Sequence, residues 1–582
     1  MKHNILYSAL VALSLIGTAS CSDSFNDHYE ALDTSTSGTL WQSISNKQEI
    51  SNFAKVLQAT GYDRDLASSQ VFTVFAPTND VLTDEKTQQL IDSYYNELKL
   101  YNNDPLKRAK TSTVKEFIQN HIALYNYSVS GGMGLQKIYM QNGKYITFDS
   151  SAFAGQNFAS RNEQLGNGVL FTLGGMATYV PNIFEYVKQD PDLKEVSDFL
   201  YMTKPYQLYT EKLNETLSVP GDIVNGQQTY LDSVMVTENV IFSSSALKAK
   251  LDKEDSTYYV VMPTNKVWNE LVTRNEKMFK YHKLSVKKDS IEYILPRLAV
   301  LKGAQFSKTI NTKLGETQNI DSIKSTLAVK YEDRYKYSEN NDMIYEYRQP
   351  YAEGGIFDGT QKIECSNGML MKANKWNFKS TNGFLTSSVM EAEADNILDP
   401  LNSKEDAGYN TATYSILSVT SDNEWYHKVS QHQAATMQPK KNSGAVLLDF
   451  VNVFSNVVYD MYVVTVPPSA VEATDTLPSR FNATVMWRDI NGKEIVHPVT
   501  PDDGSKMMEY YEDQDVVDFH VADYKNMNKI HIGTFTFPTC SFNTVDPQVK
   551  LRLDTNIASY QIGKEYTKNL YIDRIMLIPR EE

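Results

Sequence analysis

The groups through which this chain could carry out covalent, acid–base or metal chemistry are three cysteines, nine histidines and 71 aspartates and glutamates among 582 residues. Their spacing offers little. Cys365 and Cys540 fall in differently patterned stretches, and no two cysteines have the close spacing of a zinc knuckle. The nearest histidines, His427 and His432, are five residues apart, which does not bring two ligands onto one helix face. There is no H-E-x-x-H, G-x-S-x-G, P-loop or G-x-G-x-x-G. Acid pairs suited to glycoside hydrolysis exist in any chain with this many carboxylates, and nothing singles two of them out. No catalytic residue is assigned, and the chain is expected not to be an enzyme. A formal net charge of −15 leaves no broad basic face to neutralise phosphates, so nucleic acid is not expected as a partner. What remains are groups that could bind without reacting. Trp425, Tyr426 and Trp487 offer flat apolar faces on which the C–H surface of a sugar could stack, although with 37 Tyr and 5 Trp several aromatics must be core.

Cys21 stands apart because of what precedes it. Lys2 and His3 lead into the apolar run from Ile5 to Ile16, followed by Gly17, Thr18, Ala19 and Ser20. A run this short reads as a secretory signal, not a membrane span. Small residues ahead of a cysteine suit a peptidase that cuts before a lipid-modified thiol. The stretch resembles a bacterial lipoprotein lipobox, with Thr18 where leucine is commoner. That resemblance implies a signal peptide over residues 1–20, an acylated Cys21 and anchoring in the outer membrane, each buried methylene contributing about 0.8 kcal/mol. The acidic, polar run Ser22-Asp23-Ser24-Phe25-Asn26-Asp27 begins a tether over 21–38. It resembles the export signal of surface-exposed lipoproteins in the Bacteroidetes, which implies display on the cell surface. A solvated linker would look similar.

From Trp41 the chain becomes regular. Ser45 and Gln48 can form a capping box, and Ile50, Phe53, Ala54 and Leu57 share a helical face before Gly61. Val71 to Ala76 is a β-branched and aromatic strand ended by Pro77, after which Thr78 and Asn79 can turn the backbone or cap the next element. Thr113 and Glu116 suggest a second capping box, and Val114, Phe117, Ile118, His121, Ile122 and Tyr125 one further helical face. That spacing points His121 toward a core. The run Phe72-Thr73-Val74-Phe75-Ala76-Pro77-Thr78-Asn79 resembles the first signature of the fasciclin (FAS1) domain. Asn167-Gly168-Val169-Leu170-Phe171, followed by Pro181, is similar to its second. The resemblance implies a compact α+β domain over 39–182 of an adhesive, non-catalytic kind.

A more divergent copy is expected over 183–384. Leu193, Val196, Phe199 and Leu200 repeat the helix face, Tyr258 to Asn265 repeat the strand with its Pro263-Thr264-Asn265 corner, and Asn367-Gly368-Met369-Leu370 repeat the second signature. Relative to the first copy it carries about 40 extra residues between roughly Tyr206 and Phe242, either a functional loop or decoration. The fasciclin family often has a Tyr-His pair between its signatures. Asn120-His121 and Pro296-Arg297 stand there instead, so integrin-like binding is not carried over.

Past Trp376 short apolar runs separated by turns, with Asn491-Gly492 as a hairpin, argue for an antiparallel β-sandwich over 385–582. Met390-Glu391-Ala392-Glu393 and Tyr571-Ile572-Asp573-Arg574-Ile575 resemble the first and last strands of galactose-binding-like jelly rolls, including carbohydrate-binding modules. By that resemblance alone Glu391, Glu393 and Asp573 would ligate a structural calcium; solvated strand carboxylates are the alternative. The acidic stretch from Glu509 to Asp518 reads as a solvated loop. The expected architecture is two α+β fasciclin-like domains followed by an all-β jelly roll. The expected function is adhesion, partner docking or scaffolding at the outer membrane. The alternative is glycan capture beside an outer-membrane transporter complex, and a hydrolase stands behind both.

Overall fold

The computed structural model describes residues 38–213, 219–224, 227–232, 235–243, 246–285, 287–330, 343–392, 412–441, 443–450, 452–498, 511–513, 520–542 and 549–580. Cys21, Glu393 and most of the acidic stretch 509–518 lie outside them.

Leu40 and Ile44, both fully buried, start helix α1 (Leu40–Asn46) earlier than the sequence suggests. Its capping box is Thr39 with Gln42, not Ser45 with Gln48; the Ser45 hydroxyl donates instead to the Gln42 carbonyl. Helix α2 (Ser51–Thr60) buries Phe53, Ala54 and Leu57 and ends at Gly61, whose φ of 76° is the left-handed conformation that glycine adopts without a Cβ clash. Strand β1 (Phe72–Pro77) is buried along nearly its whole length, and helix α3 (Asp84–Lys99) comes next, capped by Thr83.

The single helix expected over 113–125 does not form. Residues Thr113–Ile118 are helical, and then the chain turns into strand β2 (Ile122–Leu124), which pairs antiparallel with β1. An unpaired edge on a buried strand outweighs a helical period this short, because buried backbone groups need partners. Strand β3 (Gly168–Leu173) lies parallel to β1 on its other side, with Phe72 opposite Gly168 and Pro77 opposite Leu173. Further antiparallel strands complete a seven-stranded sheet.

The second unit repeats this plan with helices α4 (Ile183–Gln189) and α5 (Lys194–Leu200), strand β4 (Tyr258–Pro263), helices α6 (Asn265–Met278) and α7 (Lys288–Leu301), and strand β5 (Gly368–Ala373). Strands β4 and β5 are again parallel, Tyr258 opposite Gly368 and Pro263 opposite Ala373. The extra residues form a nested β-ribbon. Tyr209–Leu213 pairs with Met235–Asn239 and Val219–Val224 pairs with Gln227–Asp232. The ribbon reaches the first unit through an ion pair between Glu211 and Lys110.

The two units are clamped by a buried charge cluster. Lys144 Nζ, on a side chain 5% exposed, lies 2.7 Å from Glu185 Oε2 and 2.6 Å from Glu254 Oε1, and it donates to Ser366 Oγ at 3.0 Å.

The third unit is a two-sheet β-sandwich. Its strands include β6 (Ser388–Glu391), β7 (Val458–Thr465), β8 (Ser479–Arg488) and β9 (Leu570–Pro579). One sheet runs Ala412–Ser418, Gln433–Pro439, β9, β7, Asn528–Thr536, Tyr511–Asp513, with β6 also on β9. The other runs Ser443–Phe450, Val549–Asn556, β8, Glu494–Pro498, with His520–Ala522 on β8. First and last strands are neighbours, Met390 opposite Ile575 and Glu391 opposite Arg574. The Asn491-Gly492 hairpin forms, with Gly492 at φ +87°, and its Ile490 carbonyl accepts from Lys283 N of the second unit. The sandwich core continues into that unit through Met278, Phe279, Tyr281 and Ala299.

Candidate functional site

The signature residues are consumed by the fold. Asn167 Oδ1 accepts from Leu40 N at 2.7 Å, and its Nδ2 donates to the carbonyls of Leu66 and Ser68. Asn367 does the same in the second unit, accepting from Ile183 N at 2.9 Å and donating to Leu251 and Lys253. Each amide satisfies the first orphan N–H of a helix and ties it to the parallel strand pair. Gly168 and Gly368 come next at φ +146° and +140°; a Cβ there would lie 1.9 Å from the Phe72 or Tyr258 carbonyl oxygen.

The Pro-Thr-Asn corners also match. Thr78 N donates to Leu173 O and Thr264 N to Ala373 O, just beyond Pro77 and Pro263. Asn79 Oδ1 accepts from Asn52 N at 3.0 Å and its Nδ2 donates to Gln48 O at 2.7 Å. Asn265 Oδ1 accepts from Glu195 N at 2.9 Å and its Nδ2 donates to Pro191 O at 2.8 Å. Both asparagines therefore cap the helix that precedes their strand, α2 or α5. Local spacing favours a cap on the element after the corner, and the fold overrides that preference.

His121 is fully buried, and its two nitrogens have fixed roles. Nδ1–H donates to Phe117 O at 2.8 Å, and Nε2 accepts from Ala177 N at 3.1 Å. Burial lowers its pKa to about 4. The two described thiols are no nucleophiles: burial pushes both Cys365 and Cys540 up to about 12. Among the described residues no group of three or more His, Cys, Asp or Glu could hold a metal ion, and no helix is long and apolar enough to cross a membrane.

One polar cluster in the sandwich joins residues far apart in sequence. Ser430, on a loop with Gln431 and His432 in the left-handed region, donates its hydroxyl to Glu391 Oε1 at 2.9 Å and its N–H to Asp573 Oδ1 at 2.9 Å. Two of the three expected calcium ligands are thus brought together. Asp573 Oδ2 is buried, receives no hydrogen bond, and lies 3.4 Å from Arg574 Nη2. Burial holds the Asp573 carboxyl up at about 6, against the pull of the Arg574 guanidinium and the Ser430 N–H. Two carboxylates and a hydroxyl are hard oxygen donors of the kind calcium takes, with the Arg574 guanidinium as the cation that already faces Asp573 Oδ2. Ser430 carries no signal in the sequence, since only the tertiary fold brings its loop to β6 and β9.

The aromatics divide. Trp487 is 2% exposed and belongs to the sandwich core, where it offers no face to a ligand; the alternation of β8 turns it inward. Trp425 and Tyr426 are half-buried on the loop that leads to Ser430. Lys428 Nζ stands 4.4 Å above the Trp425 ring, and Tyr426 stacks on His432 at 3.7 Å.

Residues 48–172 match the fasciclin domain family. No curated protein matches the chain. Among solved structures, a FAS1 domain pair from the insect cell adhesion molecule fasciclin I is 10% identical, with 57% of this chain and 98% of that chain covered and a TM-score of 0.18. A CBM22-1 xylan-binding domain from Paenibacillus barcinonensis is 13% identical, with 34% and 95% covered and a TM-score of 0.19. A family 35 carbohydrate binding module from Clostridium thermocellum is 14% identical, with 33% and 97% covered and a TM-score of 0.15. At these scores the likenesses carry no argument.

Proposed function

We propose that this chain is a non-catalytic binding lipoprotein, held in the outer membrane by an acylated Cys21 and displayed on the cell surface, where its two fasciclin-like units and sandwich dock a protein partner or act as a scaffold. The observation that carries this reading is the fasciclin match over residues 48–172, together with the second unit that repeats its parallel strand pair and both asparagine clasps. Every signature residue is spent on structure, so function falls to surfaces and to the junctions between units. Affinity purification of the full chain from native outer membranes tests it: a stoichiometric membrane-protein partner, such as a transporter complex, supports docking. Recovery of the chain alone, with turnover of a glycan by the pure protein, contradicts it.

The second reading is glycan capture by the sandwich. It is favoured by Trp425 and Tyr426, which lie half-buried on the loop leading to Ser430.

In either reading Glu391 and Asp573 would hold a structural calcium, with Glu393 as the third carboxylate. When bound, the ion would add positive charge beside two buried carboxylates, of which Asp573 already faces the Arg574 guanidinium at 3.4 Å. An ion bound only by the folded state stabilises it by about 2.7 kcal/mol at a concentration a hundredfold above its dissociation constant. The full chain is therefore expected to melt lower in chelator, with Asp573→Asn removing the difference. A melting curve indifferent to chelation contradicts the site.

A further inference from the structure

A cavity of about 380 Å³ opens where the second unit meets the sandwich. That volume lies within the range of small-molecule sites, which favour such junctions. Its apolar wall is Met278 at the end of helix α6, Phe378 and Leu385 from the segment between β5 and β6, and Val457 and Val458 at the entry to β7. Met278, Leu385 and Val457 belong to the core that the two units share, so close packing behind the cavity sets their positions. Phe378 is held by two other rings. Trp376 lies 4.5 Å from it, tilted by 32°, and the buried Tyr347 meets it edge-on at 5.0 Å. Side chains fixed before binding lose little freedom when a ligand arrives.

The walls are also fixed relative to each other. Ser455 N donates to Met278 O at 2.9 Å, and Ser455 Oγ donates to Lys277 O at 2.7 Å.

The polar side chains of the lining are already engaged. Arg580 donates through Nε and Nη2 to the two oxygens of Asp460, at 2.9 and 2.8 Å, so its charge is met. Arg274 Nη2 donates to Ser380 Oγ at 3.0 Å and to Asn275 Oδ1 at 3.3 Å. Asn456 Nδ2 donates to Lys277 O at 2.8 Å, and Lys379 and Thr381 have partners of their own. A ligand rich in hydroxyls or carrying a carboxylate would have to displace these bonds or give up its water without replacement, and either costs free energy. An apolar body meets no such penalty, and it gains by removing its own surface and that of the wall from water.

We propose that this junction cavity binds a small neutral apolar molecule, a hydrocarbon or aromatic body without charged groups, against Phe378 and the two valines. The site exists only in a chain that contains both the second unit and the sandwich, and it stands whether or not the sandwich captures a glycan.

Fluorescence titration with N-phenyl-1-naphthylamine, a neutral probe that brightens on leaving water, tests this on residues 22–582. That chain holds every described residue and omits the apolar leader and Cys21. One saturable site is expected. Toluene should displace the probe at a concentration about tenfold or more below that needed with benzoate, the same ring bearing a carboxylate, and D-glucose should not displace it. Added salt should not weaken binding, since no charge is used. Val458→Trp puts a ring into the cavity from a half-buried strand position and should weaken the probe by about tenfold or more while melting as the parent does. Val458→Leu, a smaller enlargement, serves as the second variant and should weaken it less. The absence of a saturable site, displacement by benzoate equal to that by toluene, affinity that falls with salt, or a folded Val458 variant that binds as the parent does overturns the proposal.

Discussion

Asn79 and Asn265 each bridge a strand end and the start of a preceding helix, so replacing either with leucine removes a cap and leaves a carbonyl of the preceding turn without its donor. Each change is expected to lower stability by about 1–2 kcal/mol in urea denaturation of the full chain. Unchanged stability with altered binding would make them contact residues instead. His121 supplies a pH-dependent term. Its unfolded pKa is near 6.5 and its native one about 4, so between those values the unfolded chain binds the extra proton. The contribution is complete above pH 6.5 and is lost as pH falls toward 4, by about 3 kcal/mol in all. His121→Gln should flatten the stability profile in that window relative to the parent, and an unaltered slope would contradict the assignment. The types and order of these residues were legible in the sequence. Their partners were not, because Asn167 bonds to Leu40 across 127 positions and Asn367 to Ile183 across 184.

Elements were legible where they are long and periodic, as in α2, and poorly so where tertiary pairing decides, as in the stretch that became β2. The ribbon inserted in the second unit could be located by length alone, whereas its contact through Glu211 and Lys110 depends on how the units meet. The clamp between the units was invisible to spacing arguments for the same reason. Burial raises the Glu185 pKa, but Lys115 and Lys144 outweigh it and bring the carboxyl to about 2. Its stabilisation is therefore complete above the ordinary pKa of 4.5 and is lost only as pH falls toward 2. Lys144→Met leaves Glu185 and Glu254 partly buried without their shared cation, and it should cost about 3–5 kcal/mol in denaturant unfolding. Adding Glu254→Gln should restore part of the loss. A neutral Lys144→Met would show that the cluster does not hold the units together.

Across the whole molecule, the order of two fasciclin-like units and a sandwich was legible because the signatures recur in sequence and the strand runs change character after Trp376. The merger of the last two units was not. Phe279 sits edge-on to Phe454 at 5.1 Å, and Tyr281 Oη donates to Phe542 O at 2.7 Å, so residues just past the end of the second unit's helix α6 complete the sandwich core. The sandwich is thus built on the second unit, and cutting the chain at 385 would expose that core. Binding assays accordingly need the full chain. The proposed role depends above all on where that chain is held, and Cys21 is its only proposed anchor. The most direct test is to treat intact cells with protease and then fractionate them, comparing the parent with Cys21→Ser. The parent is expected to be degraded on intact cells and, without protease, to sediment with membranes, while Cys21→Ser moves to the soluble fraction. A parent fully protected from protease, or a Cys21→Ser chain still bound to membranes, would contradict the proposed anchored surface role.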